Sequence, residues 1–285
     1  MMRNISGFVL LIFLVQCLSC TLTDNDQPIP SFLDLRDPQV LTSDLGGTDT
    51  HKITDVWVFA DGQILGVFPL PARVPLINTD NDTEITILAG IRNNGMNDTP
   101  VFYPFYRSIV KVIKPIPNEA INIPLVFQYI LDAKVPINES FETSNVFSLD
   151  FDNNPATNIS VISGDASIGQ KCGKVSFDTF STLEVGSTIR IADNQNARGK
   201  SYIELDYKGD GEIAVGIAKT TNGIIKAEYV LFVPARAVWN KIYIDVTDKL
   251  SPRDYDEYRL IFGFRKTGAS TQSSILIDNI KHLHF

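Results

Sequence analysis

Beyond residue 50 the chain sets its apolar positions at a spacing of two and almost nowhere at 3.6, so strands are predicted and helices are not. Val56, Val58 and Ala60 alternate with Trp57 and Phe59, Asp61-Gly62 makes a two-residue turn, and Gln63 to Phe68 returns as the second arm of a hairpin. Pro69 to Pro75 reads as an extended connection, Glu84 to Leu88 as a strand, Arg92 to Gly95 as a turn, and Tyr106 to Ile113 as a further strand. Short strands without helical period predict a small Ig-like β-sandwich over 48–114. Pro115, Pro117, Pro124 and Pro136 then punctuate a connector over 115–139. Inside it Leu125 to Leu131 is able to pair with either neighbour. From 140 to 285 strand signals recur at short intervals, among them Ser201–Tyr207, Ile213–Ile217, Tyr258–Arg265 and Ser274–Ile280, with a hairpin turn at Lys208-Gly-Asp-Gly211. This predicts a jelly-roll β-sandwich, and the whole chain is expected to be all-β.

The N-terminal residues follow another pattern. Arg3 precedes an unbroken apolar run from Phe8 to Val15, too short for the ~20 residues that span a bilayer and of the length of a secretory signal peptide, expected over 1–19. Leu18-Ser19-Cys20 resembles the lipobox of bacterial lipoproteins, with Cys17 where a Leu is usual. That resemblance implies lipidation at Cys20, hence a lipid anchor; the alternative is an ordinary secretory signal with an incidental Cys. Residues 20–47 are polar, carry Pro28, Pro30, Pro38 and Gly46-Gly47, and read as a tether. Cys172 is the remaining thiol and is expected to be a buried small hydrophobe.

Composition narrows the function. A net charge of -8 over 285 residues gives no cationic field for nucleic acid, and 44% hydrophobic against 20% charged residues excludes a disordered chain. Three Cys and three His leave few candidates for a zinc site or His-based catalysis, and no nucleophile elbow or phosphate loop is present. A non-enzyme is expected. His282 and His284 stand two apart on a predicted strand, on one face, without a third ligand nearby; an ordinary strand end is the competing reading. Asp150-Phe-Asp152-Asn-Asn154 is oxygen-rich but lacks the Gly and Glu of an EF-hand loop, so a solvated turn is expected.

Two resemblances remain. His51 to Pro71 together with Tyr103-Pro-Phe-Tyr106 is similar to the front domain of a group of Bacteroidetes-type lipoproteins. Ser140-Phe-Glu142, Gly173-Lys-Val-Ser176, Trp239 to Thr247 and Ile275 to Ile280 resemble galactose-binding-like jelly rolls, the fold of many carbohydrate-binding modules. The second resemblance implies a structural calcium held by Glu142 and Asp278; the competing reading has Glu142 facing solvent and Asp278 hydrogen-bonded to a neighbouring loop. It also makes Trp239, like Trp57 in its hairpin, a core residue rather than a platform. The aromatic run Phe102, Tyr103, Phe105, Tyr106 is too crowded to point wholly inward; it is expected to face an outer-membrane protein partner, or else the neighbouring domain. The resulting expectation is a lipid-anchored outer-membrane protein, displayed at the cell surface, that docks into an envelope complex such as a barrel or barrel-assembly machine. The alternative is a glycan-binding surface protein, for which Tyr255 and Tyr258 are the candidate stacking residues.

Overall fold

The structure is a computed structural model and describes residues 29–42, 46–77, 81–177, 180–192, 199–251, 254–268 and 273–285. The described residues form two β-sandwiches in series, with one four-residue helix among them, α1 (Thr247–Leu250). The front module contains β1 (Ser31–Leu35), β2 (Gln39–Leu41), β3 (Asp55–Ala60), β4 (Gln63–Pro69), β5 (Ala72–Leu76), β6 (Thr83–Arg92), β7 (Pro100–Phe102), β8 (Ile109–Ile113), β9 (Ala120–Asn122) and β10 (Val126–Gln128). Strands β3, β4, β6, β7 and β8 make one sheet. Opposite lie a three-stranded sheet in the order β5-β1-β9 and the β10-β2 pair.

The tether and connector are corrected here in part. Strand β1 pairs antiparallel with β5 and parallel with β9, and β2 pairs parallel with β10, so residues 31–41 and 120–128 complete the front sandwich. Their prolines lie outside the strands themselves, where no ladder donor is lost. Leu33, Leu35, Val40, Ile123, Leu125 and Phe127 are buried with Val56, Val58, Ile85 and Ile87.

The second module contains β11 (Lys134–Glu139), β12 (Leu149–Asp150), β13 (Ser160–Ser163), β14 (Lys171–Ser176), β15 (Thr182–Gly186), β16 (Ile191–Ala192), β17 (Ser201–Gly209), β18 (Gly211–Thr221), β19 (Ile224–Pro234), β20 (Asn240–Asp245), β21 (Glu257–Lys266) and β22 (Ser274–His284). The inner sheet runs β13-β14-β22-β17-β20, with β11 on β22; the outer sheet runs β12-β15-β21-β18-β19, with β16 on β21. Alternation sorts each strand between two faces. Ile203, Leu205, Ile242, Ile244, Ile277 and Ile280 fill the jelly-roll core, whereas Tyr202, Tyr243 and Leu283, on the opposite face, belong to the core of the front module.

One face of the inner sheet is therefore covered by the front sandwich, and a buried charge sits in that seam. Glu204 is fully buried; its carboxylate accepts hydrogen bonds from the Tyr103 hydroxyl at 2.8 Å and the Tyr129 hydroxyl at 2.9 Å, and meets the Lys241 ammonium at 3.2 Å. Lys241 also donates to Thr50 Oγ1 and Asp206, and Lys281 donates to the Thr48 carbonyl and the Tyr129 hydroxyl. Burial alone would raise the Glu204 carboxyl; the two ammoniums and two phenols outweigh it and hold the group below the ordinary carboxylate range. The edge of β20 is capped by the turn after β6: Asn94 N–H donates to the Tyr243 carbonyl and Asn94 Oδ1 accepts from Asp245 N–H.

Removing one member of a buried pair strands the other. Glu204→Gln is expected to cost about 3 kcal/mol, read as a lowered urea midpoint, and to split the single unfolding transition into two as the modules uncouple.

Candidate functional site

The aromatic run lies mainly inside the seam. Tyr103, Phe105 and Tyr106 are buried: Tyr103 meets Tyr202 edge-on at 5.3 Å between centroids, Phe105 stacks on Phe285 at 4.9 Å, and the Tyr106 hydroxyl lies 3.3 Å from that of Tyr243. These three rings cannot meet an outside partner, because the inner sheet already occupies them. Phe102 alone is exposed, at 50%, edge-on to Trp57.

Tyr255 and Tyr258 do not form a stacking platform either. Both are buried in the jelly-roll core, where Tyr258 bonds His282 Nε2 at 2.6 Å and Tyr255 donates to the Leu250 carbonyl. His282 Nδ1 lies 3.1 Å from the Tyr202 carbonyl, which fixes the proton on that nitrogen, and burial pushes the imidazole down to about 3. With both ring nitrogens used, His282 has none left for a metal. Cys172 is buried and its thiol is pushed up to about 11, chiefly by burial.

Glu142 and Asp278 both reach the loop between β13 and β14, where backbone N–H groups meet their carboxylates. Glu142 Oε1 accepts the N–H groups of Gln170 and Lys171, and Asp278 accepts those of Ser167 and Asn279. Each of these N–H groups would compete for the same oxygen with a hard cation, which takes six to eight oxygen ligands. No group of three or more His, Cys, Asp or Glu able to hold a metal occurs among the described residues. The Asp150–Asn154 stretch is a turn of side-chain to backbone hydrogen bonds. Cys20 lies outside the described residues.

The accessible concavity of the jelly roll lies on the exposed side of the outer sheet, away from the front module. Val215 pairs with Leu231 and Gly216 with Tyr229, so Val230 is an extra residue in β19. That bulge changes the phase of the strand. Tyr229 and Phe232, three apart and on opposite faces of a regular strand, both arrive on the exposed side, with ring centroids 6.0 Å apart. Glycines on the neighbouring strands make room for the phenol: a Cβ on Gly263 would come within 3.0 Å of the Tyr229 hydroxyl, and one on Gly216 within 2.9 Å of its ring. Phe232 is 59% exposed.

The rings border a hollow of about 150 Å3 lined also by Thr182, Glu184, Glu212, Ala214 and Arg265. Arg265 Nη2 donates to Glu212 Oε1 at 2.7 Å. Burial, followed by the Glu184 carboxylate to which its hydroxyl donates a hydrogen bond, raises the Tyr229 phenol, which stays protonated as a donor. The result is a ring wall beside planar carboxylate and guanidinium groups with spare lone pairs and N–H donors. That combination suits a ligand with apolar ring faces and hydroxyl edges. None of these residues stands out in the sequence: the signal would have been an aromatic pair at an odd spacing facing two strand glycines, legible only once the bulge is known.

No family model matches the sequence, and neither does any curated protein. Among solved structures, the chain is similar to a family 30 carbohydrate-binding module of a cellulosomal cellulase of Clostridium thermocellum: 14% identity, TM-score 0.39, covering 53% of this chain and 96% of that one. A family 22 xylan-binding domain from Paenibacillus barcinonensis matches at 12% identity and TM-score 0.37, covering 53% and 94%. The K2 cleaved adhesin domain of Lys-gingipain matches at 16% identity and TM-score 0.35, covering 51% and 96%.

Asp278 yields a pH prediction. Burial, with a contribution from Asp206, lifts its carboxyl to about 7 in the fold, above its ordinary value of 3.8. The folded state thus binds the proton more tightly than the unfolded chain, so this group's contribution to stability falls as pH rises from about 4 to 7. Asp278→Asn should gain on the wild type across that window and run parallel to it above, in urea melts at stepped pH.

Proposed function

We propose that this protein is a non-catalytic saccharide-binding protein in which the outer jelly-roll sheet does the binding. A sugar ring stacks on Phe232 and Tyr229 while its hydroxyls bond Glu184, Glu212 and Arg265. The observation that carries this reading is the bulge at Val230, which places two aromatic rings on one exposed face beside a paired carboxylate and guanidinium. The apolar face of a pyranose stacked on Phe232 takes that exposed ring out of water while leaving the polar groups hydrogen-bonded.

The arrangement supports binding and suggests no turnover. In this reading the acylated Cys20 anchors the chain to an outer membrane, and the front sandwich holds the jelly roll with its ligand face turned outward. A docking role built on Phe102 to Tyr106 has only Phe102 left to offer.

A glycan array probed with the full chain, followed by calorimetric titration of the best ligand, tests the reading. Phe232→Ala should raise Kd by about tenfold and Tyr229→Ala by at least as much, since loss of an aromatic contact is worth roughly 1 kcal/mol or more, while Tyr255→Phe leaves Kd unchanged. Binding that survives the Tyr229 and Phe232 changes together rules the site out.

A further inference from the structure

A second concavity follows the seam between the modules. Its larger lobe, of about 400 Å3, is lined by Asp49, Thr50, His51, Ser167, Asp206 and Trp239; its smaller lobe, of about 120 Å3, by Lys52, Arg92, Asn97, Tyr207 and Arg236, so the acidic side chains Asp49 and Asp206 lie on the larger lobe and the unpaired cations on the smaller. Asn240 and Lys241 line both.

The cations of this groove fall into two groups. Lys241 is saturated by Glu204, Asp206 and Thr50, and Arg92 is paired with Asp55 at 2.9 Å. Lys52 and Arg236 have no carboxylate partner among the described residues. Lys52 is nonetheless held in place: its backbone N–H donates to the Tyr243 hydroxyl at 3.0 Å and its ammonium to Asn240 Oδ1 at 2.5 Å. Lys52 and Arg236 line the same lobe, and burial followed by repulsion from Arg236 lowers the Lys52 ammonium. In a protein of net charge -8, an unneutralised cation pair in a recess is a site built for an anion. The adjoining lobe supplies a half-buried Trp239, whose indole nitrogen has no partner, together with hydroxyl and amide groups.

We propose that the groove is a second saccharide site, specific for acidic sugars: the carboxylate or sulfate substituent lies between Lys52 and Arg236, and the sugar body rests in the lobe beside Trp239. This rests on the saccharide reading for its ligand class but on different residues. Groups from both modules line it, so neither module alone would contain it.

Two measurements on the full chain test it. In the first, sodium sulfate alone is titrated and amide shifts are followed. Asn97 and Asn240 should move, and the Lys52→Gln/Arg236→Gln variant should abolish the movement. Sulfate that leaves these amides unmoved overturns the anion site whatever the chain does with sugars. In the second, a glycan array compares uronate-bearing or sulfated members with neutral ones. Acidic members should lose about tenfold or more in affinity in the double variant, as expected for losing a charge-assisted contact, and the loss should shrink in high salt. Neutral members should keep theirs through Phe232. Acidic sugars that bind the double variant as well as the wild type, or an array that lights only with neutral members, overturn the proposal and leave the Phe232 site standing. Sulfate shifts with a silent array would show a pocket for free anions, which overturns the acidic-sugar assignment and the saccharide reading together.

Discussion

Glu204 is the constraint on which the arrangement depends. A fully buried carboxylate at a seam between two modules is tolerable only if every oxygen finds a donor, and the donors come from both sides: Tyr103 and Tyr129 from the front, Lys241 from the jelly roll. Apolar contact such as Phe105 on Tyr202 and Phe285 supplies area but permits sliding, whereas the carboxylate fixes one register between the modules.

That fixation divides the jelly roll by function. Its inner sheet, whose polar face carries Glu204, Asp206, Lys241 and Lys281, is committed to the front sandwich. Its outer sheet keeps a free face, and there the bulge at Val230 assembles Tyr229 and Phe232 over two glycines. In this reading the front module is a brace, and the same seam that spends one sheet creates the groove where Lys52 meets Arg236. Both candidate sites are consequences of which face the front module takes.

Much of the fold was legible in the sequence because period-two alternation and Asp-Gly or Gly-Asp-Gly turns are local signals. The hairpin at Asp61-Gly62 and the strands around Tyr258 and Ser274 lie where alternation puts them. Strands β1, β2 and β9 were hidden, since three to five residues among prolines carry no period of their own and are stabilised by partners far along the chain, whereas β10 lies inside the Leu125 to Leu131 segment that read as able to pair. The aromatic run showed density but not direction: Tyr103 and Phe105 face inward because a second module supplies Tyr202, Tyr243 and Phe285 for them to pack on. Tyr255 and Tyr258 read as exposed beside charged neighbours, yet those charges sit on the other face of β21 and its approach. The backbone N–H groups that Glu142 and Asp278 accept are a feature that no side-chain pattern reports. The ligand face was not legible, because a bulge reverses the parity that strand reading relies on.

Hydrogen–deuterium exchange on the full chain, with and without a bound oligosaccharide, tests the account most directly. Protection should rise along Ile224–Pro234 and Glu257–Lys266, while Val101 to Tyr106, already sealed in the seam, should exchange slowly with or without ligand. Protection that appears instead at Val101 to Tyr106, with the outer sheet unchanged, would contradict both the sealed seam and the outward-facing site.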